Sequence, residues 1–349
     1  MTNIFNNEEM NLRNSSKAPE PSKTANQVAC ILGITGGFGY HMAKVWLAKQ
    51  RPIRALVRNP DKVADEFKSH PLVTLVTGDA NNEQQLAEAT KGAQVLVYGI
   101  NVPYPKWHDQ AEALLDRSLQ QAERLGMRVI FPGNVYVFDP NQGALFHEQS
   151  PQRAISTKGE IRIRMEQRLK RASERGAQVL IIRGGDFIGP HAPSTWLDHL
   201  VKATKNGVNL SAAGAPDLTH TWAYLPDMAR AAVGLADQVN VHDRWQESFR
   251  VYHLPGYQVN FHQLSAALGE ALASVLPQDD VDGWQYMPKA DALSLDPVLL
   301  IQILSHRIHF WEVQYEENPR QALLERALQS TEVATEILAL HLASLGGEA

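Results

Sequence analysis

Gly33, Gly36 and Gly39 stand at every third position of GITGGFG and are the first residues whose spacing suggests chemistry. A position without Cβ permits a left-handed turn or a close approach of two backbones. An apolar run before such a repeat and a helical pattern after it suit a loop that wraps phosphate. The helix would add its free N–H groups and positive end, so Thr35, Gly36, Gly37, Phe38 and Gly39 would line a pyrophosphate. A second group, Arg58 and Lys62 in LVRNPDK, lies where a second apolar run ends. An acid there would hold a ribose 2′-hydroxyl, whereas an arginine pairs with a 2′-phosphate. The sequence therefore favours NADP, and Asp61 keeps NAD open as an alternative. A third group of polar residues follows the later apolar runs: Asn101, Tyr104 and His108, then Asn134 and Tyr136, then Asp186 and His191. Tyr136 carries a phenol that could move a proton. Asn134 could donate a hydrogen bond to a carbonyl oxygen. Lys158 opens a helical pattern in which Thr157 and Glu160 have capping-box spacing, and it could reach a ribose.

These groups need a frame that brings them to one edge. From Gln27 the chain alternates short apolar runs (QVACILGI, PIRALVR, PLVTLVTG, AQVLVYGI, MRVIFPG, AQVLIIRGG) with helical patterns. Apolar runs without alternation, separated by helices, imply a parallel sheet covered on both faces. The class is α/β, a doubly wound parallel sheet of the Rossmann type over residues 27–190. Residues 191–349 read as a smaller, mainly helical substrate lobe, with residues 220–255 returning to the sheet. TWLDHLVKATKNG, LPDMARAAVGLAD and the last 60 residues read as helices, and Asp227 reads as a helix cap. Ile161, Met165, Leu169 and Ala172 mark the buried face of the helix after Lys158. The arginines at 162, 164, 168, 171 and 175 read as its solvated face. His108 and His147 read as solvated loop residues as readily as catalysts.

Composition excludes several classes. The 349-residue chain has a net charge of −5 and no long basic run, which argues against nucleic acid or an anionic membrane as partner. No stretch reaches the roughly 18 apolar residues of a membrane helix. The polar first 26 residues read as a mobile tail without a signal peptide's apolar core. The single cysteine, Cys30, lies in an apolar run, and a reducing cytoplasm fits. With one cysteine and no H-E-x-x-H spacing, no metal site is expected. A homodimer is compatible with the sequence.

The motifs together resemble an atypical extended short-chain dehydrogenase/reductase of the NAD-dependent epimerase/dehydratase group. Thr35–Gly39 resembles the family's glycine loop, and Gly78-Asp79 resembles the pair that it sets beside the adenine. FPGNVYVF at 131–138, RGGDFIGP at 183–190 and HTWAYLPDMARA at 220–231 resemble later family segments in the same order. The resemblance spans residues 27–255. It implies NAD(P) binding, with Asp79 and Lys158 among the cofactor contacts, and a small oxygenated substrate such as a sugar nucleotide. It also exposes two departures. The family's serine or threonine is Pro132 here, and its tyrosine, four residues before the lysine, is Ala154. Two expectations follow: an NAD(P)-dependent enzyme without the usual proton relay, or a non-catalytic NADP-binding sensor or scaffold.

Overall fold

Runs of β-branched and aliphatic residues with no polar alternation form the middle of the molecule. A computed structural model describes residues 27–103, 106–143, 145–192, 195, 201–204, 207–210, 217–239 and 245–264. In chain order the strands and helices of the first half are β1 (Ala29–Leu32), α1 (Gly37–Ala48), β2 (Ile53–Val57), α2 (Asp65–Lys68), β3 (Val73–Thr77), α3 (Glu83–Thr90) and β4 (Val95–Tyr98). There follow α4 (Glu112–Leu125), β5 (Arg128–Asn134), α5 (Thr157–Glu174), β6 (Gln178–Gly184) and β7 (Asp186–Ile188). The remaining elements are β8 (Val201–Thr204), β9 (Gly207–Leu210), β10 (His220–Tyr224), α6 (Leu225–Ala236), β11 (Phe249–His253) and β12 (Tyr257–Val259).

Seven strands form one parallel sheet in the order β11-β6-β5-β4-β1-β2-β3. The order reverses between β1 and β4, so the loops leaving these strands diverge and open a crevice at their carboxyl ends. Strands β1, β4, β5 and β6 are buried at every position, whereas edge strand β3 is not. Two apolar clusters cover the faces. One packs α1 and α6 through Met42, Trp46, Met228 and Val233, and the other packs α4 and α5 through Leu115, Leu119, Met165 and Leu169. The expected doubly wound α/β sheet is thus present, and Ile161, Met165, Leu169 and Ala172 are buried as their spacing predicts. Cys30 is fully buried, and desolvation pushes its thiol up to about 12, so it behaves as a small apolar residue.

Three local expectations are corrected. Ser156, not Thr157, caps α5: its hydroxyl accepts the Gly159 N–H at 3.2 Å. Asp227 does not cap α6 but sits in its first turn, where it accepts from Tyr257 Oη at 2.9 Å and pairs with Arg230. Residues 201–204 and 207–210 form an antiparallel hairpin rather than a helix. Only two residues separate the paired Thr204 and Gly207, a common hairpin length, and this local pairing outweighs the helical spacing read across it. The described residues beyond 190 carry five strands and α6, and β11 joins the seven-stranded sheet within the segment expected to return to it. The 26-residue tail and the helices expected in the last 60 residues lie outside the described residues.

Candidate functional site

The three spaced glycines do different work. Gly33 leaves β1 with φ +82°, and a Cβ there would lie 2.4 Å from the Gly99 carbonyl oxygen. A Cβ on Gly39 would lie 2.2 Å from the Gly33 carbonyl oxygen, so α1 crosses this turn only where no side chain intervenes. Both glycines are needed by the fold itself. Gly36 is not: a Cβ there would find its nearest neighbour at 3.4 Å. Gly36 caps α1 with no side-chain hydrogen bond, and no acid lies in the first turn. The first N–H groups of α1 therefore meet the crevice without a competing anion, and Gly36 leaves room for one. This arrangement fits the pyrophosphate of a dinucleotide. Gly37 lines the same crevice, and its missing Cβ makes way for Leu225 of α6 and for Ala192. Phe38 lines the crevice while anchored in the core, and Thr35 is exposed beside it.

The crevice holds a cavity of about 200 Å³. Beyond the glycine turn its wall comes from Asn101 after β4, Asn134 at the end of β5, Tyr136 in the turn after it, Arg162 on α5 and Asp186 on β7. The tertiary structure thus gathers Gly36, Gly37, Phe38, Asn101, Asn134 and Tyr136 from the residues singled out in the sequence. Asn134 accepts the Tyr136 N–H at 3.2 Å through Oδ1, which fixes the short turn Val135–Val137. That turn docks on α5 at Gly159, where a Cβ would fall 2.2 Å from the Tyr136 carbonyl oxygen.

Other selected residues lie elsewhere. Arg58 and Lys62 are exposed at the end of β2 and on the turn after it, where Asn59 Oδ1 accepts the Asp61 N–H at 2.9 Å. Asp79 is half-buried and shapes its own loop by accepting from Asn81 N at 2.8 Å. Lys158 is half-buried in the first turn of α5 but is not among the residues lining the cavity, and neither is Ala154. His108 and His147 are exposed, and His191 stacks on Tyr40 with ring centroids 4.1 Å apart. Tyr104 lies outside the described residues.

Arg162 is the residue that sequence reasoning missed. It was read with its neighbours as a solvated face, and three of those neighbours do bridge the surface to α4. Arg164 meets Glu112 at 2.8 Å, Arg168 meets Glu112 at 3.1 Å as well as Asp116, and Arg175 meets Glu123 at 2.6 Å. Arg162 instead turns to the cavity. Its guanidinium carbon lies 4.7 Å from the centroid of Trp107 and 5.5 Å from that of Phe131, and Nη1 donates to the Pro132 carbonyl oxygen at 3.3 Å. The aromatic faces hold the planar cation in place without neutralising it. Trp107 itself is held by donating to the Val102 carbonyl. The usable signal was the period of α5: Arg162 follows buried Ile161 and precedes buried Glu166 by one turn.

Glu166 and Arg183 brace this wall from behind. Each side chain is only 4 % exposed, and the pair is bidentate at 3.0 and 2.6 Å. Arg183 also contacts His253 Nε2 at 3.0 Å, and Gln152 donates to Glu166. Burial and the Arg183 charge hold His253 below the usual imidazole range, so the neutral ring accepts from the arginine. Burial shifts two of the cavity's own titratable groups in the same direction. Burial drives the Tyr98 phenol above its ordinary value and leaves it neutral. Burial also pushes the Asp186 carboxyl up to about 6, opposed only by the nearby His220.

Residues 33–187 match the family model described as NAD(P)H-binding. This segment, with its glycine turn and switch-point crevice, has the Rossmann fold and is similar to NAD(P)H-binding domains. None of the curated proteins compared with the sequence matches it. Among solved structures, the Bordetella bronchiseptica enzyme WbmH in complex with NAD+ aligns with 18 % identity and a TM-score of 0.58, over 83 % of this chain and 99 % of that one. A double mutant of the dTDP-glucose 4,6-dehydratase DesIV from Streptomyces venezuelae, with NAD and DAU bound, aligns with 16 % identity and a TM-score of 0.59, over 87 % and 96 %. The UDP-glucose 4-epimerase of Bifidobacterium longum, in complex with NAD+ and UDP, aligns with 13 % identity and a TM-score of 0.57, over 70 % and 83 %. At these identities the likeness establishes a common fold.

Proposed function

We propose that the chain is an NAD(P)-dependent oxidoreductase of the epimerase/dehydratase kind, acting on a small oxygenated substrate such as a sugar nucleotide. The observation that carries this reading is the cavity itself. It joins an uncapped helix N-terminus at Gly36 to a polar wall of Asn101, Asn134, Tyr136 and Arg162. A nicotinamide dinucleotide bound there would supply hydride transfer, and the chain need only orient and polarise the substrate. NADP is favoured over NAD because Arg58 and Lys62 stand exposed at the end of β2 without an acid in their place.

The family's tyrosine remains Ala154 and its lysine Lys158, and the cation that lines the cavity is Arg162, one turn further along α5. Asn134 and Tyr136 are proposed to meet the substrate oxygen, and Lys158 the cofactor's ribose at the rim. The rival reading, a cofactor-binding sensor without turnover, draws on Pro132, which lines the cavity and has no proton to give.

Equilibrium titration with NADPH and NADH, followed by cofactor fluorescence, tests the cofactor. Incubation with UDP-glucose and NAD(P)+, followed by NMR of the sugar, tests the chemistry. Binding with conversion of the sugar supports the enzyme. Tight NADPH binding without turnover of any sugar nucleotide favours the sensor, and binding of neither cofactor defeats both.

A further inference from the structure

We infer that Asp186 is the proton-transferring residue of this site, exchanging a proton with the carbonyl or hydroxyl oxygen at the substrate's reacting carbon. The inference rests on the cofactor reading above. Three observations place Asp186 in the role. It lines the cavity together with Asn134, Tyr136 and Arg162, at the carboxyl end of the sheet where the nicotinamide end of a dinucleotide must lie if its pyrophosphate sits at Gly36. It is fixed by backbone pairing rather than by its side chain. β7 runs beside β10 with Asp186 opposite Trp222, and the backbone at Gly185 is pressed against Thr221, where a Cβ would fall 1.7 Å from the Thr221 carbonyl oxygen. Among the described residues no hydrogen bond or ion pair engages its carboxyl, so a ligand in the cavity meets it directly.

The groups around Asp186 are few. His220 lies on the neighbouring β10, Tyr257 on β12 beyond it, and Arg162 and Tyr136 face the same cavity from α5 and from the turn after β5. Only His220 exerts a resolved charge effect on Asp186, and it is too weak to offset burial. A carboxyl half-protonated near pH 6 suits a group that must both give and take a proton near neutrality. Reduction balances as follows. The C=O π bond breaks as a hydride from the reduced nicotinamide forms a C–H bond at the carbonyl carbon. The carbonyl oxygen takes the proton of the Asp186 carboxyl to become a hydroxyl. Solvent then returns a proton to the carboxylate. Oxidation runs the same steps backward, with Asp186 as base. The Arg162 cation faces the same space and stabilises negative charge on the oxygen as it develops.

The test uses the full chain as wild type, Asp186→Asn and Asp186→Glu, with NADPH and glyceraldehyde as the probe carbonyl. NADPH fluorescence is read first, and all three proteins are expected to bind alike. Carbon-13 NMR of labelled aspartate is read second. One carboxyl should titrate near pH 6 in the wild type and be missing from Asp186→Asn. Reduction of glyceraldehyde is read third. Wild-type kcat should fall about tenfold per pH unit above the Asp186 midpoint. Asp186→Asn should be at least 100-fold slower with a flat profile, and Asp186→Glu should restore part of the rate and the slope. The inference is overturned if Asp186→Asn keeps the wild-type rate and profile, if the carboxyl titrates at the ordinary aspartate value, or if wild type binds NADPH yet leaves the probe unreduced at every pH. Failure of all three proteins to bind NADPH strikes the cofactor reading instead and takes this inference with it.

Discussion

The two ends of the crevice are built on opposite principles. At the glycine turn the backbone does the work. Gly33, Gly39 and Gly99 stack main chain against main chain, and a single added methyl would collide with a carbonyl. At the far end the backbone is only a frame, and the work falls to side chains that four separate elements bring together: Asn134 and Tyr136, Arg162, and Asp186. Sequence change at the first end is confined by sterics. At the second end it is confined only by what the ligand requires, so residues as different as Pro132 and Arg162 can occupy the wall without disturbing the sheet. The resemblance to a known family accordingly holds at the turn and breaks down at the wall.

The largest expected effect tests whether the wall has a rigid backing of its own. Glu166→Ala leaves Arg183 buried without its partner and should cost about 3–5 kcal/mol in urea unfolding. Replacing both residues together by Leu and Met should recover most of that loss. A single variant that costs less than about 1 kcal/mol would mean the buried pair carries no such weight.

The glycine turn gives the next effect and the sharpest contrast. Gly39→Ala should cost about 3 kcal/mol, because the methyl meets the Gly33 carbonyl. Gly36→Ala should change stability by less than about 1 kcal/mol yet weaken NADPH at least tenfold, since its methyl enters only the ligand's space. Equal losses of stability in the two variants would erase the distinction between folding and binding glycines. Arg58→Ala should weaken NADPH by about 1.5–3 kcal/mol and NADH little, as fluorescence titration would read. An equal loss for both cofactors would remove Arg58 from 2′-phosphate recognition.

The smallest effect is the one that depends on pH. Below the ordinary aspartate value of 3.8, Asp186 is protonated whether the chain is folded or not, and its ionisation costs nothing. As pH rises through about 6 the folded protein must hold a carboxylate where burial disfavours it, so stability falls across this window. Asp186→Asn removes that penalty. It should be more stable than wild type at pH 8 by on the order of 1–2 kcal/mol, after discount for partial exposure, and no different at pH 3. Thermal unfolding at the two pH values reads the difference, and a variant less stable than wild type at pH 8 would show that Asp186 is not strained by burial.

The sequence alone determined the parallel sheet and the glycine turn. Both rest on local rules: unbroken apolar runs can be satisfied only inside a sheet covered on both faces, and the turn needs residues without Cβ at fixed spacing. It also exposed the missing serine and tyrosine. The composition of the wall was decided by tertiary structure. Arg162 looked like any other arginine of a charged helix until Trp107 and Phe131, from other elements, supplied the faces it stacks on. Asp186 was one polar residue among several until β7 was paired to β10 and its carboxyl was left with the cavity for surroundings. Spacing along the chain fixes which residues share a turn. Which side chains share a cavity depends on contacts between distant segments, and those arise only when the chain packs.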